Sequence, residues 1–493
     1  MELFLINNDY KYAVEQIMLM LFPGESPIYP QKASGTLKAV VKLSDGEKFV
    51  TATTSISDGY GRTFRGKAAV STELFEDAIV EQRLRQRVVK LSFYRAGLKL
   101  LGKKPIWGAL SGIRPGKLMS DLLESGLSDK AALSRFVKLY DASPERAELC
   151  LHTAHASRAV TEKLGKKDVC LYLGVPFCPT RCAYCSFVSQ SVEKSMKLIA
   201  PFVEALMKDI EATADTVREL GLNVIALYLG GGTPTTLSAE QLDKVLSALH
   251  EKFDLSSCRE ITVEAGRPDT ISRDKLLTMR RWGVSRVSVN PQTMSDNVLE
   301  IIGRRHSAED VLKALELVRE VGGFEVNMDL IAGLPGDDKE SFARTMEKVL
   351  SLSPENITVH TLSLKKGSRI TLEGTRIPSA EEVEEMVEIS RMSLSEAGYS
   401  PYYLYRQKFM SGGLENVGWS KPGSDNLYNI CIMEELCSII AMGAGASTKL
   451  VTGTGRLERF FAPKYPAEYI ADIDKTCAKK TIIKEFYNGL SAN

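Results

Sequence analysis

The sequence carries no excess of charge of either sign: 63 basic residues stand against 62 acidic ones in 493. Binding dominated by phosphate contacts draws on a surplus of lysine and arginine, so this balance argues against a nucleic-acid binder while leaving room for a local basic pocket. Long apolar runs are also missing, and none approaches the roughly eighteen residues of a membrane span. The start, Met1-Glu-Leu-Phe-Leu-Ile-Asn-Asn-Asp-Tyr10, has no basic segment ahead of an apolar core and does not read as a secretion signal. No internal repeat or low-complexity tract stands out. Histidine is scarce at five residues, and His306 and His360 read as packed or hydrogen-bonding side chains.

Nine cysteines is an odd number, and six of them (Cys150, Cys170, Cys258, Cys431, Cys437 and Cys477) are scattered. Most of these read as buried small hydrophobes in a reducing cytoplasm, the expected location. The other three sit together in Gly174-Val-Pro-Phe-Cys-Pro-Thr-Arg-Cys-Ala-Tyr-Cys-Ser-Phe187. Cys178, Cys182 and Cys185 place three thiolates in one tight loop, close enough to hold three corners of a cubane iron–sulfur cluster. Zinc sites and two-cluster ferredoxins normally supply a fourth protein ligand, so a trio points to an iron kept for another molecule. Chance, a three-ligand zinc site and a disulfide set are the alternatives. The spacing, Tyr184 and the strand-like Val169–Val175 run just upstream count against them.

A chain of this length exceeds one ordinary core, so two or three domains are expected. Residues 1–165 read as an α+β module. Thr36–Leu43 and Lys48–Ser55 flank Ser44-Asp-Gly-Glu47, a hairpin signal, and helical periodicity follows over Glu73–Leu101 and Lys117–Leu164. Between those helical stretches, Arg114, Lys117 and nearby glycines either cradle an anion or form a loop that caps the next helix. Residues 166–366 alternate strand and helix. The strand candidates are Val169–Val175, Val224–Leu229, Glu260–Glu264, Val284–Asn290, Glu325–Ile331 and Asn356–Leu362, separated by helices such as Lys194–Glu219 and Ala239–Lys252. Six such units predict a parallel sheet with right-handed crossovers, an incomplete TIM-like (β/α)6 barrel of class α/β with functional residues at the carboxyl ends of its strands. Residues 367–493 form a C-terminal accessory domain: a helix over Glu381–Glu396, an aromatic run Tyr399–Tyr405, a loop over Ser411–Tyr428 and a helical end.

Polar residues or glycines occupy strand ends where packing alone would not ask for them. Leu229-Gly-Gly-Gly-Thr-Pro-Thr235 follows the second strand, and its glycines let backbone approach a ligand. Glu264 ends the third strand, Gln292 follows the fourth with Arg304 twelve residues on, and Asp329 sits in the fifth. A carboxylate suits ribose hydroxyls, and an arginine suits a carboxylate through bidentate pairing.

The cysteine loop resembles the radical S-adenosylmethionine (SAM) superfamily. That resemblance implies a [4Fe-4S] cluster whose open iron is chelated by SAM, with the protein supplying ligation, orientation and exclusion of water. The Gly-Gly-Gly-Thr-Pro run resembles the element that grips the SAM amino group. With Tyr172, Glu264, Gln292, Arg304, Met328-Asp-Leu-Ile-Ala-Gly-Leu-Pro335 and the late Ile440–Thr448 run, residues 170–450 resemble the oxygen-independent coproporphyrinogen III oxidase family, in its longer coproporphyrinogen dehydrogenase branch. The resemblance implies oxidative decarboxylation of coproporphyrinogen III to protoporphyrinogen IX in haem biosynthesis, with a low-potential donor such as flavodoxin or ferredoxin. It assigns Tyr172, Gly231, Glu264 and Ser447 to the cluster-bound SAM. A second SAM, if bound, maps to Tyr184, Gly232, Thr233, Gln292, Arg304, Asp329 and Ser363. Arg406 and Lys408, beside the aromatic run, are candidates for the substrate propionates. At Phe187 the chain departs from the best-described oxidases, which carry another cysteine there. The related haem chaperones lack it too, so a haem chaperone and a radical SAM methyltransferase stand as alternatives.

Overall fold

The computed structural model describes residues 1–32, 35–112, 114–185, 190–191, 195–365, 367–407, 410–452 and 457–491. Phe187, Lys194 and Lys408 lie outside them. Two compact units emerge: Met1–Pro115 with Asp121–Leu151, and Gly116–Ser120 with His152–Asn493.

In the first unit β1 (Glu2–Ile6), β2 (Lys38–Asp45), β3 (Phe49–Ser57) and β4 (Thr63–Ser71) form one sheet in that order. β1 runs parallel to β2, and the other neighbours are antiparallel. The expected Asp-Gly hairpin joins β2 to β3. Period-two alternation buries Ala39, Val41 and Leu43 on one strand and Val50, Ala52 and Ile56 on the next. The helix Ala78–Leu101 covers that face. Asp77 caps it by accepting from the Ile79 and Val80 amides, and Gly102, at φ 69°, ends it. Helix and β4 approach so closely that a Cβ on Gly66 would stand 2.0 Å from the Ser92 carbonyl oxygen. The helical stretch expected over Lys117–Leu164 is three helices, Pro115–Glu124, Asp129–Tyr140 and Pro144–Thr161.

The second unit is built on β5 (Asp168–Val175), followed by the short parallel pair β6 (Phe177–Cys178) and β7 (Gln190–Ser191). Then come β8 (Asn223–Gly231), β9 (Glu260–Val263), β10 (Arg286–Ser288), β11 (Glu325–Ala332) and β12 (Asn356–Thr361). Setting β6 and β7 aside, the strands lie side by side in the order β12-β11-β10-β9-β8-β5, every neighbouring pair parallel. Helices such as Ile199–Leu220, Ala239–Lys252 and Lys339–Leu352 make the crossovers. This is the open arc of six βα units that the sequence predicts.

The later strands belong to the same sheet. β13 (Ser400–Tyr405) and β14 (Asn416–Ser420) extend the β12 edge antiparallel. β15 (Ser438–Gly443) pairs parallel with β5, and β16 (Ser447–Val451) and β17 (Leu457–Phe461) follow antiparallel. The eleven-stranded order runs from β13 to β17 without joining its ends. β14 lies inside the expected Ser411–Tyr428 loop. All five of its residues are buried, and Gly418 makes the pairing possible, because a Cβ there would lie 1.9 Å from the Tyr403 ring. Among the described residues, no helix is long and apolar enough to cross a membrane.

Candidate functional site

Cys178 ends β6, and Cys182 and Cys185 follow in a turn closed by the Cys185 amide donating to the Cys182 carbonyl at 3.1 Å. Ala183, between them, fixes the turn to its surroundings. Its amide donates to the Ile302 carbonyl at 2.9 Å, and its own carbonyl accepts from the Ile370 amide at 3.3 Å. Its methyl group joins a buried cluster with Val298, Leu299, Ile302 and Ile370. Cys182 is buried, while Cys178 and Cys185 are half-buried.

Side-chain donors point at these sulfurs. The Thr233 hydroxyl lies 3.5 Å from Cys178 Sγ, and the Arg267 guanidinium lies 3.9 Å from Cys182 Sγ. Arg267 is buried, paired with Asp269 at 3.1 Å and bonded to the Thr180 hydroxyl at 3.0 Å. Donors so placed can hydrogen-bond a metal-bound sulfur, so the donor set fits the cubane cluster that the spacing implies. Sequence reasoning missed Arg267; the signal was a charged Arg-Pro-Asp run a few residues beyond the end of β9.

The glycine run packs against this loop. The Gly232 amide donates to the Val175 carbonyl and the Thr233 amide to the Phe177 carbonyl, both at 2.7 Å. A Cβ on Gly232 would stand 2.4 Å from the Phe177 oxygen, and Gly231 takes φ 102°, where side-chain-bearing residues are strained. The glycines therefore make room for the cysteine loop, and two of the amides that the sequence reading offered to a ligand are bonded to backbone.

Around the neighbouring strand ends the polar set converges. Tyr172 on β5 pairs in register with Tyr228 on β8, and the Tyr228 hydroxyl donates to Glu264 Oε1 at 2.5 Å. Burial pushes the Glu264 carboxyl up to about 7; the Tyr228 hydrogen bond opposes the rise, and the charge of Asp329 adds to it. Asp329 moves the other way. Burial disfavours its charge, yet donors at His360, Asn327 and Thr358 hold it below the ordinary aspartate range. The Asn290 and Asn327 side-chain amides each donate to it at 2.8 Å. Two carboxyl groups near one another, displaced in opposite directions, give this rim one acid close to neutral pH and one fixed anion.

Gln292 is buried at φ 68°, and its backbone links to β11 through the Asp329 carbonyl and the Ile331 amide. Arg304 is buried; Nη1 donates to the Asn290 carbonyl at 2.6 Å and Nη2 to the Tyr184 hydroxyl at 3.2 Å. Among the described residues its Nε has no hydrogen-bond partner. A buried guanidinium N–H left unpaired is a ready donor to an anionic group such as a carboxylate, which fits a SAM-type ligand. Ser363 follows β12 and pairs in an isolated bridge with Met410. Ser447 opens β16 just beyond the carboxyl end of β15. Arg406 is placed differently: its guanidinium is buried and donates to the Gly413 carbonyl, with Nε at 3.1 Å, holding a turn of its own segment.

Beside the cysteine loop opens a cavity of about 720 Å³, lined by Arg181, Arg304, Arg305, His306 and Arg369 among others. His306 is buried, and among the described residues neither ring nitrogen has a hydrogen-bond partner. Burial and the nearby Arg304 and Arg267 charges push it down to about 4, so it is neutral at physiological pH.

Residues 172–349 match the Radical SAM superfamily. The chain is 40% identical over 369 residues, 74% of each protein, to the oxygen-independent coproporphyrinogen-III oxidase-like protein HemZ of Bacillus subtilis (strain 168). It is 26% identical over 303 residues to the heme chaperone HemW of Haemophilus influenzae, covering 61% of this chain and 75% of the relative. Among solved structures, the coproporphyrinogen III oxidase HemN from Escherichia coli, described as a radical SAM enzyme, superposes with a TM-score of 0.52 at 22% identity. That match covers 66% of this chain and 73% of the other, and shows a shared fold. The match to HemZ, the superfamily match and the open arc of βα units agree, and the chain belongs to the oxygen-independent coproporphyrinogen III oxidase-like family of radical SAM proteins.

Proposed function

We propose that this protein decarboxylates two propionates of coproporphyrinogen III to vinyl groups, giving protoporphyrinogen IX. The observation that supports this reading best is the meeting of a thiol-bearing loop with a rim of split carboxyls and an unpaired Arg304 Nε at adjacent strand ends. Cys178, Cys182 and Cys185 would hold the [4Fe-4S] cluster. Tyr172, Gly231, Glu264 and Ser447 would hold SAM, and Tyr184, Gly232, Thr233, Gln292, Arg304, Asp329 and Ser363 would serve a second one. When bound, these groups supply the radical that removes a hydrogen atom from a propionate β-carbon, after which carbon dioxide and one electron depart and a vinyl group remains.

The chain's own contribution is placement. Arg304 offers a donor to a carboxylate, Asp329 keeps a fixed negative charge, and Glu264 accepts hydroxyls beside Tyr228. Residues 166–366 carry the chemistry in this reading and 367–493 serve as its accessory part. A low-potential donor of the flavodoxin or ferredoxin type supplies electrons in the cytoplasm.

A second reading, a haem chaperone on the same scaffold, draws on Phe187, which stands where the best-described oxidases carry a cysteine. Anaerobic turnover of reconstituted protein with coproporphyrinogen III, SAM and a low-potential reductant separates the two. Loss of two carbon dioxide molecules per porphyrinogen supports the oxidase. Stoichiometric haem binding with no vinyl product decides for the chaperone, and methylated product with S-adenosylhomocysteine for a methyltransferase.

A further inference from the structure

Three of the cysteines that look scattered in the sequence meet in the folded chain. Cys170 lies on β5, Cys431 on the helix Leu427–Glu434, and Cys437 immediately before β15. Their Sγ atoms all lie within 4.8 Å of one another, with Cys170 and Cys437 at 3.7 Å. All three are buried, at 0%, 0% and 7% exposure, among Ile225, Ala226, Tyr428 and Ile439. Cys170 shares its face of β5 with Tyr172, two residues on. Tyr428, from the same helix as Cys431, stacks on Tyr172 and Tyr228 with ring centroids 6.1 and 4.4 Å apart. The group thus occupies the amino-terminal portion of the strands whose carboxyl ends carry the rim.

The spacing separates one kind of site from another. Thiolates on different irons of a cubane stand roughly 6 Å apart, too far for this group. Sulfurs bonded at about 2.3 Å to one ion stand roughly 4 Å apart, close to the 3.7 Å between Cys170 and Cys437. A disulfide would use two of the three and leave the third without a role. Among the described residues no histidine, carboxylate or further cysteine joins the group. A ligand set of sulfur alone, sealed from water, suits a soft ion and disfavours magnesium, calcium or manganese.

We propose that Cys170, Cys431 and Cys437 bind a single thiophilic d10 metal ion, copper(I), which three thiolates suffice to ligate, distinct from the iron–sulfur site. The ion would tie the Leu427–Glu434 helix to β5 and β15 and so hold Tyr428 against Tyr172 and Tyr228.

The test is metal analysis of the full-length protein, prepared without air and dialysed against a weak chelator. One equivalent of copper beyond the iron is expected, and one equivalent of zinc in its place overturns the assignment of the ion. Cys431→Ser should lose that equivalent while keeping the iron. The combined Cys178→Ser, Cys182→Ser and Cys185→Ser variant should do the reverse. If Cys431→Ser does not fold, the metal content of the triple variant and of the unaltered chain still decides. The proposal is overturned if the unaltered protein carries no extra metal and shows no thiolate-to-metal charge-transfer band on titration with cadmium(II). Mass analysis showing a Cys170–Cys437 disulfide in freshly isolated protein overturns it equally.

Discussion

The Glu264 carboxyl makes the stability of this protein depend on pH in a direction that can be stated beforehand. Burial raises it from the ordinary 4.5 to about 7. A carboxyl that holds its proton more tightly when folded stabilises the fold fully below its unfolded pKa, and loses that contribution as pH rises through the folded value. The interval from 4.5 to about 7 corresponds to about 3 kcal/mol at full burial. Because the side chain is only half-buried, water screens part of this, and we expect about 1–3 kcal/mol. The assay is chemical denaturation of protein free of SAM between about pH 5 and about pH 8, comparing the unaltered chain with Glu264→Gln. Glutamine does not titrate, so the variant should lose about 1–3 kcal/mol less than the parent over that interval. Tyr228→Phe removes a hydrogen bond that favours the carboxylate, and should move the midpoint upward. Parallel pH curves for parent and Glu264→Gln would refute the reasoning, since other groups titrate alike in both.

Three further outcomes are expected. Arg267→Met removes the cationic donor 3.9 Å from Cys182 Sγ and should make the cluster potential more negative by on the order of 50 mV, with Arg267→Lys falling between; a redox titration followed by electron paramagnetic resonance reads it. Gly232→Ala sets a methyl group 2.4 Å from the Phe177 carbonyl oxygen and should destabilise the fold by about 2 kcal/mol or more while lowering iron content. Gly24→Ala, with nothing within 4 Å, is the silent control in the same melting and iron assays. Arg304→Gln should weaken SAM binding by about tenfold or more in equilibrium dialysis, if a carboxylate pairs with this guanidinium.

The parallel strands were legible because most are buried on both faces and read as short apolar runs between helical periods, while β11 alternates buried and half-buried residues. Their ends fell within a few residues of expectation: Val224–Leu229 became Asn223–Gly231, and Val284–Asn290 shortened to Arg286–Ser288. β14 was not legible. Asn416-Val-Gly-Trp-Ser420 has a loop composition, and its strand state comes from pairing with β12, about sixty residues earlier. Tertiary context overrides local preference there. Arg406 stands beside the aromatic run in the sequence, and only the fold shows that the Gly413 carbonyl comes within its reach.

The two cysteine groups follow the same distinction. Cys178, Cys182 and Cys185 lie within eight residues, so their proximity is dictated by chain length alone, and spacing announces the chemistry. Cys170 lies more than 260 residues from Cys431 and Cys437. What joins them is the parallel pairing of β15 with β5, which sets Ile439 opposite Cys170 and brings Cys437 to the same end. β5 thus serves both groups. Its pleat sends Cys170 and Tyr172 to one face, and the segment beyond its carboxyl end delivers Cys178. A shift of one residue in the pairing of β15 would turn its side chains to the other face and separate Cys437 from Cys170. It would also displace Gly443, whose close approach admits no Cβ, since one there would stand 2.2 Å from the Gly174 carbonyl oxygen. Gly443→Ala should therefore disturb both groups at once, the thiols through register and the Cys178 loop through the end of β5. Cys431→Ser should touch only the first. Equal effects of the two variants on iron content would show that the ends of β5 are not independently built.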